Sequence, residues 1–352
     1  MTLAVGVLAS LVSAMLITRV LTQAVIGRVG PRLSGLGSAG SVRTWLTRRN
    51  PQLMRRAKLW LGLAGALAAV AVAGLVARGL NFGVEFTGGR LVEFATSRPI
   101  SADAAGEAVA RAGFPAAVVQ AGDDGVSVRA ARLGLDEVAR IEQALEAQAG
   151  EVTKRSEEFI GPSLGKELRR NALVALGVAV ALQLTYLAVR FRWTFGAAAV
   201  LALLVDVAVV AGLFAWLGKP IDGVFLAAML TVVGYSVNDK VVVFDRVREL
   251  WAARRREPLS AAVNGAILQT MPRTVNTGLG ALFILLALMA FGGDSLRDFA
   301  IALVTGIVAG TLSSAFVAGP TAIMLGRFDR RPAPEPAKPR PAREPRGSGA
   351  VV

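Results

Sequence analysis

The sequence predicts a polytopic α-helical membrane protein: six membrane helices, one extra N-terminal span, and a small extracytoplasmic α+β domain of ferredoxin-like order. Three observations predict it. Of the 352 residues 54% are hydrophobic, and the mean hydropathy is +0.54, more apolar than a soluble globule. The apolar residues gather into seven stretches, each about 18 residues or longer and so able to cross roughly 30 Å of hydrocarbon. Between the second and third stretches lie about 80 residues in which short alternating runs replace the long apolar ones, the pattern of strands and amphipathic helices.

Composition also excludes chemistry. Cysteine and histidine are both absent, which removes disulfides, thiolates, the commonest metal ligand and the usual proton shuttle near neutral pH. No catalytic residue, cofactor or metal site is expected. The formal net charge of +14 does not point to nucleic acid, because the arginines collect at the ends of apolar stretches and in the tail, where membrane topology accounts for them.

Taken in order, residues 1–25 hold the first span, at 3–25, with no basic residues before it and no small-residue cleavage site after it, unlike a signal peptide. Residues 26–58 are rich in Gly, Ser and Arg and read as a cytoplasmic linker. The second span covers 59–80. A domain at 81–170 follows, with strands over Leu91–Thr96, Ala116–Ala121, Val126–Ala131 and Val152–Phe159. Its helices run from a Ser101 cap to Gly113 and over Leu135–Gln148, and Asp123-Asp-Gly125 makes a turn. The order β-α-β-β-α-β is the split unit of ferredoxin-like folds.

Residues 171–326 return to the membrane as five spans, at 172–189, 195–217, 223–245, 274–292 and 298–325. Their connections differ in charge: Arg190 and Arg192 fill one turn and arginines crowd the loop from Arg246 to Arg273, whereas Gly218–Asp222 and Gly292–Asp298 hold one basic residue each. The positive-inside rule then places the small domain outside and the C-terminus in the cytoplasm. The Pro- and Arg-rich tail, 327–352, reads as disordered and near anionic lipid.

Ionisable residues within the spans are the candidate functional groups, since one such residue at membrane depth costs roughly 2.5–3.5 kcal/mol on insertion scales. Asp239 is the first. Helical spacing puts Tyr235 on its face, placed to hydrogen-bond the carboxylate or hold water against it. Asp206, in the preceding span, is as costly, and the two carboxylates point to a shared polar path. Lys240 projects about 100° away from Asp239 around a helix and is expected to snorkel to the cytoplasmic end. Arg273, following Pro272, reads as the mouth of a span packed beside Asp239. The small residues Gly306, Gly310, Ser313 and Ser314 suit close helix packing.

The run from Gly234 through Tyr235, Asn238, Asp239, Asp245 and Arg246 to Glu249 closely resembles the signature of SecF, a protein-export membrane subunit. Further stretches resemble SecF in the same order: Gly79–Gly89, which contains Gly83, Glu85, Gly88 and Gly89, then Ile160–Gly165, Arg273-Thr and Phe299–Pro320. The resemblance covers about residues 50–326 and places the chain in the SecD/SecF family of the resistance-nodulation-division superfamily. Residues 1–25 resemble instead the last membrane span of SecD, so the chain reads as the back end of a SecDF fusion.

The resemblance implies a subunit of the Sec machinery in the bacterial inner membrane, helping proton-driven protein export without being an enzyme. Implied partners are SecD, the SecYEG channel, SecA and YajC-type accessory proteins, unfolded exported polypeptide and the lipid bilayer. Asp239 corresponds to the family's proton-carrying aspartate and Arg273 to its conduction-linked arginine; with Asp206, singled out by its depth, they form the expected proton-conducting set, and Tyr235 and Asn238 support it. Departures from the pattern are Lys240 where Thr or Ser is usual, Glu85 where Asp is common, and Gly278 and Gly280 in place of hydroxyl residues. Alternatives are a non-conducting scaffold, a resistance-nodulation-division exporter, and an intramembrane aspartic protease, whose Tyr-Asp and Gly-x-Gly-Asp patterns the surroundings of Asp206 and Asp239 do not resemble.

Overall fold

The structure, a computed structural model, describes residues 48–329 except 116, 123–124 and 131–132, together with Trp45 and scattered helical positions between Val12 and Ala24. The expected first span and linker therefore lie largely outside the described residues. The 123–124 part of the turn and the tail from 330 onward lie wholly outside them.

Among the described residues, six helices are long and apolar enough to cross a membrane. After a 3₁₀ turn at Leu53–Arg56, α1 covers Ala57–Arg78 and stops at Gly79, whose positive φ of 70° no β-carbon opposes. Past the small domain, α5 covers Pro162–Arg190, with proline in its first turn, where the missing N–H costs nothing. Helix α6 covers Trp193–Leu217 and ends at Gly218 in the left-handed conformation. Helix α7 covers Gly223–Ala253, its N-terminus capped by the Asp222 carboxylate, which accepts from the Phe225 N–H at 2.7 Å. Helix α8 covers Leu259–Phe291. Helix α9, Gly293–Ser313, passes through a π turn at Ser314–Ala318 into α10, Gly319–Gly326.

Two expectations change here. The segment from Arg246 to Arg273 is not a loop: α7 runs on to Ala253 and α8 begins at Leu259, leaving only 254–258 between them. Arg273 accordingly lies well inside α8 and not at its mouth. Both helices continue past their apolar stretches, and Pro272 sits within α8 without ending it.

Helices α6, α7 and the α9–α10 rod form the interior of the bundle, while α1, α5 and α8 turn most of their apolar surface outward. Small residues permit the close crossings. A β-carbon on Gly212 of α6 would come within 2.5 Å of Ala71 on α1, and one on Gly306 of α9 would collide with Val232 of α7.

Between α1 and α5 lie β2 (Gly89–Thr96), α3 (Ala102–Arg111), β3 (Val118–Gly122), β4 (Gly125–Ala130), α4 (Leu135–Ala149) and β5 (Val152–Ile160). The four strands form an antiparallel sheet in the order β3-β4-β2-β5, the expected split topology. The Ser101 hydroxyl accepts from the Ala104 N–H, as the cap predicts. One face of the sheet and both helices bury Val92, Phe94, Val109, Val128, Ile141 and Leu145. Two further strands were not foreseen. Asn81–Phe82 (β1) pairs in parallel with Pro220–Ile221 (β6), and a single helical turn, α2 (Val84–Thr87), follows β1.

Candidate functional site

Asp206 occupies the middle of α6 and is wholly buried. Three groups from two other helices converge on its Oδ2: the Ser236 hydroxyl donates at 2.5 Å, the Lys240 ammonium at 2.7 Å and the Ser313 hydroxyl at 2.9 Å. Ser236 and Lys240 stand one turn apart on the same face of α7. Lys240 Nζ also reaches Ser236 Oγ at 2.5 Å and Ser313 Oγ at 3.0 Å. Helix α9 comes this close because it carries glycine at the crossing: a β-carbon on Gly310 would lie 3.2 Å from Ser236 Cβ.

Lys240 therefore does not snorkel. Its ammonium is 0% exposed and neutralises Asp206, because the stem points into the bundle toward a carboxylate at its own depth. Stripping water from either charge alone costs several kcal/mol, so each is tolerated only with the other and with hydroxyls to complete the shell. The Ser236/Lys240 spacing was the signal in the sequence, although nothing local showed that Asp206 faced it.

Asp239, one residue earlier, is 4% exposed, and its Oδ2 has no hydrogen-bond partner among the described residues. The same holds for Tyr235 Oη, so the two share a face without the direct hydrogen bond that spacing suggested. Lys240 and Arg273 are the cations that act on Asp239 through space. Among the described residues no ion pair joins Arg273 to Asp239; Arg273 lies on the exposed side of α8. The two aspartates are thus linked through Lys240 and not as adjacent carboxylates. Asn238 and Gly234 lie on the exposed side of α7, away from this cluster.

Other motif residues hold the ends of α7. At the end remote from the small domain, Asp245 accepts from Arg190 at the end of α5 at 2.6 Å, and Arg246 Nε donates to Gln269 of α8 at 2.7 Å. At the domain end, Gly88 and Gly89 take positive φ values of 72° and 130°, which glycine alone adopts readily. The Gly83 N–H donates to the Ile221 carbonyl at 2.8 Å, and Glu85 Oε2 accepts from the Gly223 N–H at 2.5 Å. Burial pushes the carboxyls of Glu85 and Asp222 above the ordinary carboxylate range, against backbone hydrogen bonds that pull the other way.

The arrangement holds one ion pair and a second carboxyl away from water. No group of three or more metal-ligating side chains occurs among the described residues, and the partners of Asp206 are an ammonium and two hydroxyls where a proton-sharing dyad would set a second carboxyl.

A bundle of six membrane-length helices with an internal ion pair, a second buried carboxyl beside it and a ferredoxin-like domain at one end is the architecture of a multi-pass membrane protein. The chain belongs to the SecD/SecF family of protein-export membrane proteins: the family's C-terminal model matches residues 140–327 and its GG-motif model residues 73–100. It is 36% identical over 345 residues to the protein translocase subunit SecDF of Thermus thermophilus, covering 96% of this chain and 45% of that one. It is 38% identical over 260 residues to the SecF subunit of Thermobaculum terrenum, covering 68% of this chain and 82% of that one. The crystal structure of SecDF from Thermus thermophilus, a translocon-associated membrane protein, superposes with a TM-score of 0.71 at 37% identity, over 79% of this chain and 38% of that one. The chain spans less than half the length of that SecDF relative.

Proposed function

We propose that this chain is the SecF-type part of the Sec protein-export machinery and that, with a SecD-type half and the SecYEG channel, it promotes proton-driven translocation of unfolded polypeptide. The names of its relatives support the export role. One observation carries the mechanism: Asp239 is closed to solvent at membrane depth, with an oxygen lacking a hydrogen-bond partner, next to a lysine already committed to Asp206. A carboxylate in that position changes its interactions sharply when it takes or loses a proton. Arg273 and Lys240 attract the charged form, and protonation ends that attraction, so the contacts among α6, α7 and α8 change with the proton. On this reading the small domain faces outward and the C-terminus lies in the cytoplasm.

The test is Asp239→Asn in a complete SecD–SecF complex. An amide cannot carry the proton, so stimulation of export by the proton gradient is lost while insertion and assembly persist, and Asp239→Glu keeps part of the activity. Normal proton-driven export by Asp239→Asn assigns the chain to a scaffold role instead.

A further inference from the structure

The small domain meets the bundle at the ends of α5, α6 and α7, and of these helices α7 carries Asp239. The first N–H groups of an α-helix have no partner within it and need acceptors from elsewhere. In α7 the Phe225 N–H is taken by Asp222, but the Gly223 N–H is taken by Glu85, 138 positions away in sequence and on the connection into the small domain. Around this bond further contacts join the domain side to the residues between α6 and α7: β1 pairs with β6, Gly83 N–H donates to Ile221, and Asn81 and Gln120 of β3 both donate to the Gly218 carbonyl, at 3.0 and 2.7 Å. Arg129 of β4 donates to Asn81 Oδ1 and to the Phe82 carbonyl.

Glycines make the approach possible. A β-carbon on Gly223 would come within 2.5 Å of Glu85 Oε2, one on Gly83 within 3.0 Å of Asp222 Cβ, and one on Gly165 of α5 within 2.8 Å of the Gly88 nitrogen. Glu85 has no ion-pair partner among the described residues. Among the described residues the cap is the one hydrogen bond its carboxylate makes.

We propose that Glu85 is a positioning residue: by capping α7 it joins the small domain rigidly to the helix that carries Asp239, about 24 Å further along at 1.5 Å per residue. The Gly-rich motif thereby acquires a mechanical role. Its glycines set the backbone, and its single carboxylate grips the helix, so that displacement of α7 is passed to the domain. This coupling rests on the proposed function for its purpose, but it is read from a distance and requires neither protons nor export.

The experiment uses the full chain, which lacks cysteine, in lipid nanodiscs. Spin labels at Glu107→Cys on α3 and Leu217→Cys at the end of α6, both exposed, report the domain-to-bundle distance by double electron–electron resonance. A narrow distribution is expected for the parent, and also for Glu85→Asp and Glu85→Gln, which keep an acceptor oxygen. Glu85→Ala should broaden it and make the Gly223 amide exchange roughly five- to thirtyfold faster. Gly223→Pro removes the donor from the other side. Proline suits the first helical position and Asp222 is already extended, so α7 itself should persist and the distribution should again broaden. Amide exchange of β2 and β4 verifies that the domain remains folded in each variant. A distribution as narrow as the parent's in either Glu85→Ala or Gly223→Pro overturns the proposal, and Gly223→Pro decides the matter if Glu85→Ala does not fold.

Discussion

Lys240 Nζ lies 2.7 Å from Asp206 Oδ2, and the two side chains are 0% and 1% exposed, so the bundle contains an ion pair from which water is excluded. Each charge exists at that depth because of the other. Breaking such a pair from one side is costly, about 3–5 kcal/mol, whereas replacing both partners by apolar groups of similar size is often neutral. Lys240→Met and Asp206→Leu should each markedly lower the unfolding midpoint in detergent, and the double variant should recover most of the loss. Additive losses would mean that the pair contributes nothing as a pair.

Lys240→Thr, the residue type common in the family pattern, tests what the lysine adds. With the ammonium gone, Asp206 keeps the Ser236 and Ser313 hydroxyls, and Asp239 loses one of the two cations acting on it. The expected outcome is a retained fold with proton-driven export whose dependence on pH differs from that of the parent, measured in membrane vesicles. An unchanged pH profile would separate Lys240 from the chemistry of Asp239.

The docking of the small domain should depend on the pH of the proposed outer side. Glu85 is pushed above a glutamate's ordinary value of 4.5, chiefly by burial, while the charges that bear on it are Asp222, Glu158 and Arg129. Asp222 is raised in the same way, with Asp298 adding repulsion. Freed from the contact, both groups return to ordinary values. The docked arrangement therefore binds protons more tightly: its gain is complete below the ordinary values and is lost as pH rises through the raised ones. The spin-label distribution should narrow on acidification, and Glu85→Gln should reduce that response.

Topology is open to a direct measurement, since any cysteine introduced is the only one. A thiol at 123 should react with a membrane-impermeant reagent in intact spheroplasts, and thiols at 256 and after Val352 should react only after lysis. Reaction of the 256 thiol from outside would invert the map.

The small domain has a core of its own, with Val109, Val128, Ile141 and Leu145 at most 1% exposed. Residues 85–165 should give dispersed amide shifts in isolation, and Ile141→Ala should cost about 2–5 kcal/mol of unfolding free energy. Collapsed shifts for the parent fragment would show that the bundle is needed for folding.

What could be read along the chain was whatever depends on neighbours in sequence. Apolar length located the six described spans, and alternation with a serine cap located the strands and helices of the small domain, because hydrocarbon thickness, pleat and helical period are local constraints. Asp206 and Asp239 stood out for the same reason, as charges in stretches that should have none. The helices nevertheless proved longer than their apolar cores. That moved Arg273 into the body of α8, since hydropathy marks where lipid ends and not where hydrogen bonding ends.

Only the tertiary structure decided which charge meets which. Lys240 and Asp239 are adjacent in sequence and point to different sides of α7, and a sequence does not state which side faces α6; the packing of α6, α7 and α9 around Gly306 and Gly310 does, and it gives Lys240 to Asp206. The grip of Glu85 on Gly223 was hidden for the same physical reason. A helix terminus needs an acceptor, but an acceptor 138 residues away is found by the fold and not by any spacing in the chain.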